Sequence, residues 1–185
     1  MADTTITEAL QEIKTINSRL EKKRAGIGRY IGRDARLRDP FEADGGSEKF
    51  IREERQSISD LEKRLVLIRL AIQSANLSKT LTLDAETRTV ADWLAWRREV
   101  APGQKQFLSA VYQAIQNNRQ QVQKNGGKVI AAAAAQVNMD PSAPPDVVVN
   151  INEQALLKEI ETLDAHLSAL DGKLSLFNAV TVINV

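Results

Sequence analysis

Apolar side chains recur every seven positions across residues 51–75, and this pattern organises the prediction of the fold. Two rows share the spacing, with charged residues on the remaining faces: Ile51, Ile58, Leu65 and Ile72 in one row, and Leu61, Ile68 and Ala75 in the other. Such a heptad repeat is typical of a coiled-coil seam. Burying these side chains contributes ~10–20 kcal/mol, whereas ordering each residue of the helix costs on the order of 1–2 kcal/mol. The helix therefore needs a partner.

Two other segments carry a similar apolar stripe and supply candidate partners. Their apolar positions are Ile6, Ile13, Leu20 and Ile27 in the first helix, and Leu156, Ile160, Leu163, Leu167, Leu170, Leu174 and Phe177 in the last. The first helix is predicted to begin at Thr5 or Thr7. Turn-forming residues at 38–40 and 44–47 separate it from segment 51–75. The first two helices are therefore expected to form an antiparallel hairpin.

The spacing of apolar residues changes to two after Asn76, which predicts extended structure. Leu81 and Leu83 alternate with polar residues before a turn at 84–86, so a short β-hairpin is expected here. A helix follows, and the Pro-Gly pair at 102–103 is expected to end or bend it.

Two β-prone segments lie in the last quarter of the chain. Residues 147–151 are predicted to form a strand, and residues 180–185 are predicted to form a β-prone tail. An unpaired strand of this kind promotes aggregation. The tail is therefore expected to pair with 147–151 or with a neighbouring subunit.

These patterns predict a mainly α fold, a helical bundle with a long antiparallel coiled-coil hairpin, a small β-hairpin and β-prone extended arms. We expect one domain with three regions. They are a helical and β-hairpin region at 1–127, an Ala/Pro-rich linker and strand at 128–151, and a C-terminal coiled-coil helix with its tail at 152–185.

The composition of the chain excludes some classes of chemistry. The formal net charge of +1 gives no overall field that would attract nucleic acid or an anionic membrane. The sequence contains no cysteine, which excludes disulfides, a thiol nucleophile and thiolate metal ligands. No apolar run approaches the ~18 residues that span a bilayer, and the N-terminus lacks the pattern of a secretory signal. We expect a soluble protein that is cytoplasmic or virion-associated.

His166 is the sole histidine and lies within the apolar repeat of the last helix. One imidazole cannot form a His-rich metal site, so His166 is predicted to be a residue of the helix surface. Asp92 and Glu99 have the residue types of an acid–base pair, but catalytic carboxylates need a cleft that shifts their pKa values. The pattern indicates no cleft. We therefore predict that the protein is not an enzyme and holds no cofactor and no metal.

Residues 22–38 form a local excess of positive charge. The candidate nucleic-acid ligands, arginines for phosphates and a tyrosine for stacking on a base, are Arg24, Arg29, Tyr30, Arg33, Arg36 and Arg38. Acidic residues lie among these positions and directly after them. We therefore favour a solvated hairpin tip or a contact with an acidic protein surface over nucleic-acid binding.

The two tryptophans and the tail are the candidate interaction sites. Trp93 and Trp96 share one helix face because they are three residues apart, and such a pair caps a core or anchors an interface. The tail residues predicted to make contacts between subunits are Val180, Val182, Ile183 and Val185.

A series of residues at the exit from segment 51–75 carries a family resemblance. The series is Ile68, Ala71, Ile72, Gln73 and Asn76, followed by Leu81, Thr89 and Asp92-Trp93-Leu94-Arg97. In this series the chain resembles the septicolysin-like family of small, mostly uncharacterised bacterial helical proteins. The resemblance implies a long N-terminal helical hairpin, a short hairpin with a Thr-Leu element, a further helix and a C-terminal helix. It implies no established enzyme activity, and no catalytic residues carry over.

The end of the chain both agrees with this family and departs from it. Leu163-Asp164 or Leu170-Asp171, together with Asn178, is similar to the closing pattern of the family. The insert at 128–145 and the β-prone tail depart from the pattern.

The predicted function is that of a non-enzymatic structural or assembly protein. We expect it to form a homo-oligomer through its helical seams and terminal arms and to contact other structural proteins, as a component of a bacteriophage virion does. Two alternatives stay open. One is a nucleic-acid-binding module that uses residues 22–38, and the other is a membrane-active, cytolysin-like protein.

Overall fold

The fold is mainly α-helical with short strand pairs, which confirms the predicted class. The computed structural model describes residues 3–131 and 146–185. Its helices are α1 (Ile6–Tyr30), α2 (Gly46–Ser78), α3 (Val90–Ala95), α4 (Ala101–Lys124) and α5 (Glu153–Val180). Its strands are β1 (Asp3–Thr5), β2 (Thr80–Leu83), β3 (Glu86–Thr89), β4 (Val129–Ala131), β5 (Val147–Val149) and β6 (Val182–Asn184).

The chain divides into two compact units. The first unit contains the chain up to Thr80 together with Leu174–Val185, and the second contains Leu81–Lys173. Helix α5 therefore contributes its first part to the second unit and its end to the first unit. The region boundaries predicted at 127 and 151 do not coincide with this division.

The core of the first unit lies between α1 and α2. A capping box begins α1, because the amide of Glu8 donates to Thr5 Oγ1 at 3.3 Å and the amide of Thr5 donates to Glu8 Oε2 at 2.8 Å. Helix α1 buries its apolar stripe against α2, whose Ile68 is fully buried. The remaining heptad positions of α2 are half-buried on the same face. The seam at 51–75 is therefore used inside the hairpin.

Ion pairs between α1 and α2 show that the two helices are antiparallel. Arg64 binds the carboxylate of Glu12 through two nitrogens at 2.8 and 3.0 Å, and Lys23 Nζ lies 2.9 Å from Glu54 Oε1. As the residue number rises along α1, it falls along α2. The hydrogen bonds from Arg64 hold the pKa of Glu12 below its usual value of 4.5.

Replacing Glu12 by glutamine is expected to weaken the hairpin at neutral pH and to leave it unchanged in acid. A carboxylate whose pKa is lowered by folding stabilises the protein above its unfolded pKa, near 4.5, and this contribution is lost as the pH falls through the lower folded value. The loss at pH 7 is about 0.5 kcal/mol, because solvent screens the partly exposed pair. Urea unfolding at several pH values measures it. Glu21→Gln changes an exposed position on the same helix and is the control. If Glu12→Gln weakened the hairpin at pH 3 as much as at pH 7, the ion pair with Arg64 would not be the source of the loss.

The C-terminal tail pairs with the N-terminal strand of the same chain. Strand β6 runs antiparallel to β1, with Asp3 opposite Asn184 and Thr5 opposite Val182. The amide of Ile6 extends the pairing by donating to the carbonyl of Thr181 at 3.0 Å. The predicted pairing of the tail with 147–151 is therefore wrong. Strand β1 consists of three polar residues, so the sequence carried no signal for it.

The second unit begins with the predicted β-hairpin. Strands β2 and β3 pair across a turn in which Asp84 and Ala85 have positive φ angles of 50° and 67°. Helix α3 follows, and a capping box between Thr89 and Asp92 begins it. The Pro-Gly pair at 102–103 does not end the helix. It lies in the first turn of α4, where proline needs no amide partner, and a π-helical segment at Trp96–Val100 precedes it.

A short parallel sheet completes the described part of the second unit. Strand β4 pairs with β5, and Val129 lies opposite Val147. Residues 132–145, which belong to the region predicted as an Ala/Pro-rich linker and strand at 128–151, lie outside the described residues. Within residues 3–131 and 146–185, no helix combines the length and apolar character needed to cross a membrane.

Candidate functional site

An open apolar groove lies between α4 and α5 in the second unit. It has a volume of about 680 Å³. Three aromatic side chains line it, namely Trp96 after α3, Phe107 on α4 and His166 on α5, and we call this surface the aromatic groove. Leu108 and Leu163 add aliphatic area between the two helices. Phe107 is 66% exposed, so an aromatic side chain stands in the groove largely uncovered.

Trp93 forms the base beneath the aromatic groove. The side chain is fully buried, and its indole N–H donates to the carbonyl of Leu81 at 3.0 Å. The guanidinium of Arg88 lies 4.9 Å from the centre of the Trp93 ring, which is cation–π geometry. The ring of Trp96 meets that of Trp93 edge to face at 6.1 Å. The two tryptophans therefore divide their roles, because Trp93 belongs to the core and Trp96 faces the groove.

His166 is more enclosed than the predicted surface residue. Its imidazole lies 5.7 Å from the Trp93 ring and 5.3 Å from the Trp96 ring. The Nδ1 atom lies 2.7 Å from a carboxylate oxygen of Asp84 in the turn of the β-hairpin. An ionised carboxylate requires a proton on Nδ1, so this contact sets the tautomer and the orientation of the ring. Asp84 is distant in sequence, and no local pattern connects the two residues.

Ion pairs along the groove hold its helices together. Lys105 Nζ lies 2.6 Å from Asp164, and Arg97 Nε lies 2.6 Å from Asp171. Lys158 and Glu159 stand on the groove itself. In the part of the chain that the structure describes, no three histidine, aspartate or glutamate side chains converge as metal ligands. The groove offers mainly aromatic and aliphatic contact area with charged edges.

A second apolar surface lies on the outer side of α2 in the first unit. Val66, Leu70 and Leu77 project within about 40° of one another around the helix, and we call these three residues the outer stripe. They are 56–66% exposed. Leu67 flanks the stripe and is also exposed. The buried Ile68 lies on the opposite face, so α2 has one apolar face against α1 and a second one on the surface.

The arginines of the basic stretch are largely engaged with nearby acids. The observed ion pairs are Arg24 with Glu62 at 2.7 Å, Arg33 with Asp39 at 3.9 Å, Arg36 with Asp34 at 2.6 Å and Arg38 with Glu42 at 2.5 Å. Arg29 lies in the last turn of α1. Most cations of this stretch therefore face carboxylates of the same unit, so the positive charge of the tip is largely balanced locally.

Tyr30 belongs to an aromatic cluster at this tip. Its ring meets Phe41 edge to face at 4.8 Å and Phe50 at 5.5 Å, and the two phenylalanines stack at 4.3 Å. Asp39 holds the adjacent connection by accepting hydrogen bonds from the amides of Ser47 and Phe41, which keep the pKa of its carboxyl below the usual value. Tyr30 is therefore half-buried and packs with two other rings of the tip.

The tail residues differ in their accessibility. Ile183 is buried in the first unit, whereas Val180 and Val182 are exposed. Val185 is half-buried. Val180 and Val182 are therefore the tail residues whose side chains are most available for contacts.

Comparison of the chain with protein-family models, with curated proteins and with solved structures found no match.

Proposed function

We propose that this protein is a non-enzymatic structural protein that associates with copies of itself. The observation that carries the proposal is the outer stripe, a second apolar face on a helix whose first apolar face is already buried. Isolated exposed leucines are common on protein surfaces, but aligned aliphatic side chains over three turns form a surface suited to packing on another element. The heptad seam is used within the hairpin, so the stripe takes the role that the sequence had suggested for the seam.

The size of the stripe sets the expected strength of association. Full burial of one such side chain contributes about 1.5–3 kcal/mol, so covering side chains that are already partly buried contributes about 1 kcal/mol each. With a counter-surface of similar size, the gross gain is about 6 kcal/mol, against an association cost of about 4–15 kcal/mol. One interface of this kind is therefore weak, and association is expected to depend on protein concentration.

The alternative functions have less support from the described residues. Nucleic-acid binding through residues 22–38 would compete with the ion pairs of Arg24, Arg36 and Arg38 and with the aromatic cluster around Tyr30. A bacteriophage virion is one setting for a weakly self-associating subunit, and that assignment stays a prediction. Membrane activity also stays a prediction, which leakage of dye from liposomes tests.

Replacing Leu70 by glutamate is expected to abolish concentration-dependent association, because it places a charge in the middle of the outer stripe. Sedimentation velocity from micromolar to millimolar concentration measures the mean mass. Leu37→Glu is the matched control, since Leu37 is 64% exposed in the connection between α1 and α2 and undergoes the same chemical change. A wild-type protein that stays monomeric over the whole range would refute self-association.

A further inference from the structure

The outer edge of β6 carries backbone groups that no other described strand uses. Among residues 3–131 and 146–185, the strand that pairs with β6 is β1. The amide of Ile6 donates to the carbonyl of Thr181 at 3.0 Å, and hydrogen-bonded residues alternate with non-hydrogen-bonded ones along an antiparallel pair. Ile183 is therefore the next residue that bonds to β1, and the amides and carbonyls of Val182 and Asn184 point to the other side of the strand.

The opposite edge of this strand pair is blocked by a carboxylate. Thr5 lies opposite Val182, so its amide also points away from the pair, and it donates to Glu8 Oε2 at 2.8 Å. The hydroxyls of Thr4 and Thr5 donate to the same oxygen at 3.1 and 2.8 Å. Charged groups at an edge disfavour pairing with a further strand. Strand β6 contains no charged residue, so its edge lacks this protection.

The edge of β6 is complementary to itself. Val182 and Asn184 are exposed, and Ile183 between them is buried. If two copies lie antiparallel with Ile183 opposite Ile183, Val182 of each chain faces Asn184 of the other, and each of these pairs exchanges two backbone hydrogen bonds. A shifted register uses fewer of these groups, because the chain up to Val180 belongs to α5. A second copy of this chain therefore gives every outward backbone group of the strand a partner.

We infer that β6 of one chain pairs antiparallel with β6 of a second chain, with Val182 opposite Asn184. The contact is isologous and joins the two strand pairs into one sheet. This inference rests on the proposed self-association, because its few hydrogen bonds fall short of the ~10 of a typical interface. The outer stripe brings the chains together, and the edges then pair at the high local concentration that this contact creates.

Single thiols test this register, because the protein contains no cysteine of its own. Val182→Cys and Asn184→Cys are made in separate full-length chains, mixed in equal amounts and oxidised with oxidised glutathione. The Cα atoms of a hydrogen-bonded pair lie about 5.5 Å apart, which is within the reach of a disulfide. The control mixture combines Asn184→Cys with Val180→Cys, since Val180 is 65% exposed and Val182 is 56% exposed, but Val180 lies before the strand. Intact-mass spectrometry distinguishes the mixed dimer from dimers of one variant and gives its rate of formation.

The mixed disulfide is expected to form at least about tenfold faster in the Val182→Cys and Asn184→Cys mixture than in the control mixture, because pairing holds the two thiols together. Equal rates, beside a wild type that associates by light scattering, overturn the edge pairing and leave self-association in place. Adding Leu70→Glu to both chains is expected to remove the advantage. An advantage that survives Leu70→Glu keeps the edge pairing and overturns the role of the outer stripe, whereas a monomeric wild type with equal rates overturns both proposals.

A second variant, Val182→Pro, tests the hydrogen bonds of the edge without a thiol. Proline removes the outward amide of residue 182 and leaves the bonds between β6 and β1 in place, since an edge strand tolerates proline on its outer side. The concentration at which half of the chains are associated is expected to rise about tenfold, because two hydrogen bonds are lost from each pairing. Sedimentation velocity measures it, and circular dichroism checks that the helices are retained. An unchanged half-association concentration in a folded Val182→Pro variant contradicts the pairing.

Discussion

Replacing Trp93 by alanine is expected to lower the free energy of unfolding of the second unit by about 3–5 kcal/mol. The side chain is 1% exposed and lies beneath the aromatic groove, so its removal leaves a cavity among packed rings. The same change leaves the carbonyl of Leu81 without its indole donor. A single domain is stable by only about 5–15 kcal/mol, so the loss is a large part of the total.

Two matched variants separate the causes of this effect. Trp93→Phe keeps most of the ring and removes the indole donor, and it is expected to lose about 1–3 kcal/mol. Trp96→Ala removes a ring of the same type from a half-buried position on the groove and should cost less than Trp93→Ala. Urea unfolding followed by far-ultraviolet circular dichroism gives the three values. A loss below about 1 kcal/mol for Trp93→Ala would contradict a central role in the core.

Replacing Ile68 by alanine is expected to destabilise the helical hairpin by about 2–5 kcal/mol. Ile68 is the fully buried residue of α2, and its side chain fills the seam against α1. The substitution leaves a cavity, and this cavity stays open because the neighbouring heptad residues are fixed on the same two helices and cannot move to fill it. Chemical unfolding monitored by circular dichroism measures the loss, and both tryptophans lie in the second unit, so their fluorescence provides a separate signal from that unit.

Leu70→Ala is the control for the hairpin experiment, because it makes a similar change two residues away on the outer face. Leu70 is exposed, and such a surface substitution is expected to change stability by within about 0.5 kcal/mol. Together the two variants distinguish the face of α2 that stabilises the hairpin from the face that is proposed to contact a second chain. Equal losses would show that the outer stripe is also packed.

Local patterns were sufficient to predict much of the fold. The heptad spacing around Ile68 predicted the hairpin, because a helix that is buried on one side by a single neighbouring helix repeats its apolar residues at one fixed spacing. The turn at 84–86 and the capping box at Thr89 were predictable because both depend on residues within a few positions. Strand β1 was not predictable, since three polar residues acquire extended structure only by pairing with the distant strand β6.

The candidate site was harder to predict, because its residues are far apart in the sequence. The contact between His166 and Asp84 joins a helix to a hairpin turn, and neither sequence neighbourhood indicates the other. Phe107 gave no signal because a single aromatic residue on an amphipathic helix is ordinarily part of the core. The outer stripe did leave a signal. Val66, Leu70 and Leu77 are apolar positions outside the two heptad rows, on faces that were predicted to be charged, and the three lie on one side of the helix.

The strand pair that joins the beginning and the end of the described chain has a mechanical consequence. Asp3 and Asn184 lie opposite each other at the same end of β1 and β6, so anything attached before one or after the other leaves from a single edge of the first unit. Tension applied between these two ends would load the backbone hydrogen bonds of the pair one after another, as in a zipper. The pair of β1 and β6 would therefore separate before the force acted on the hairpin of α1 and α2.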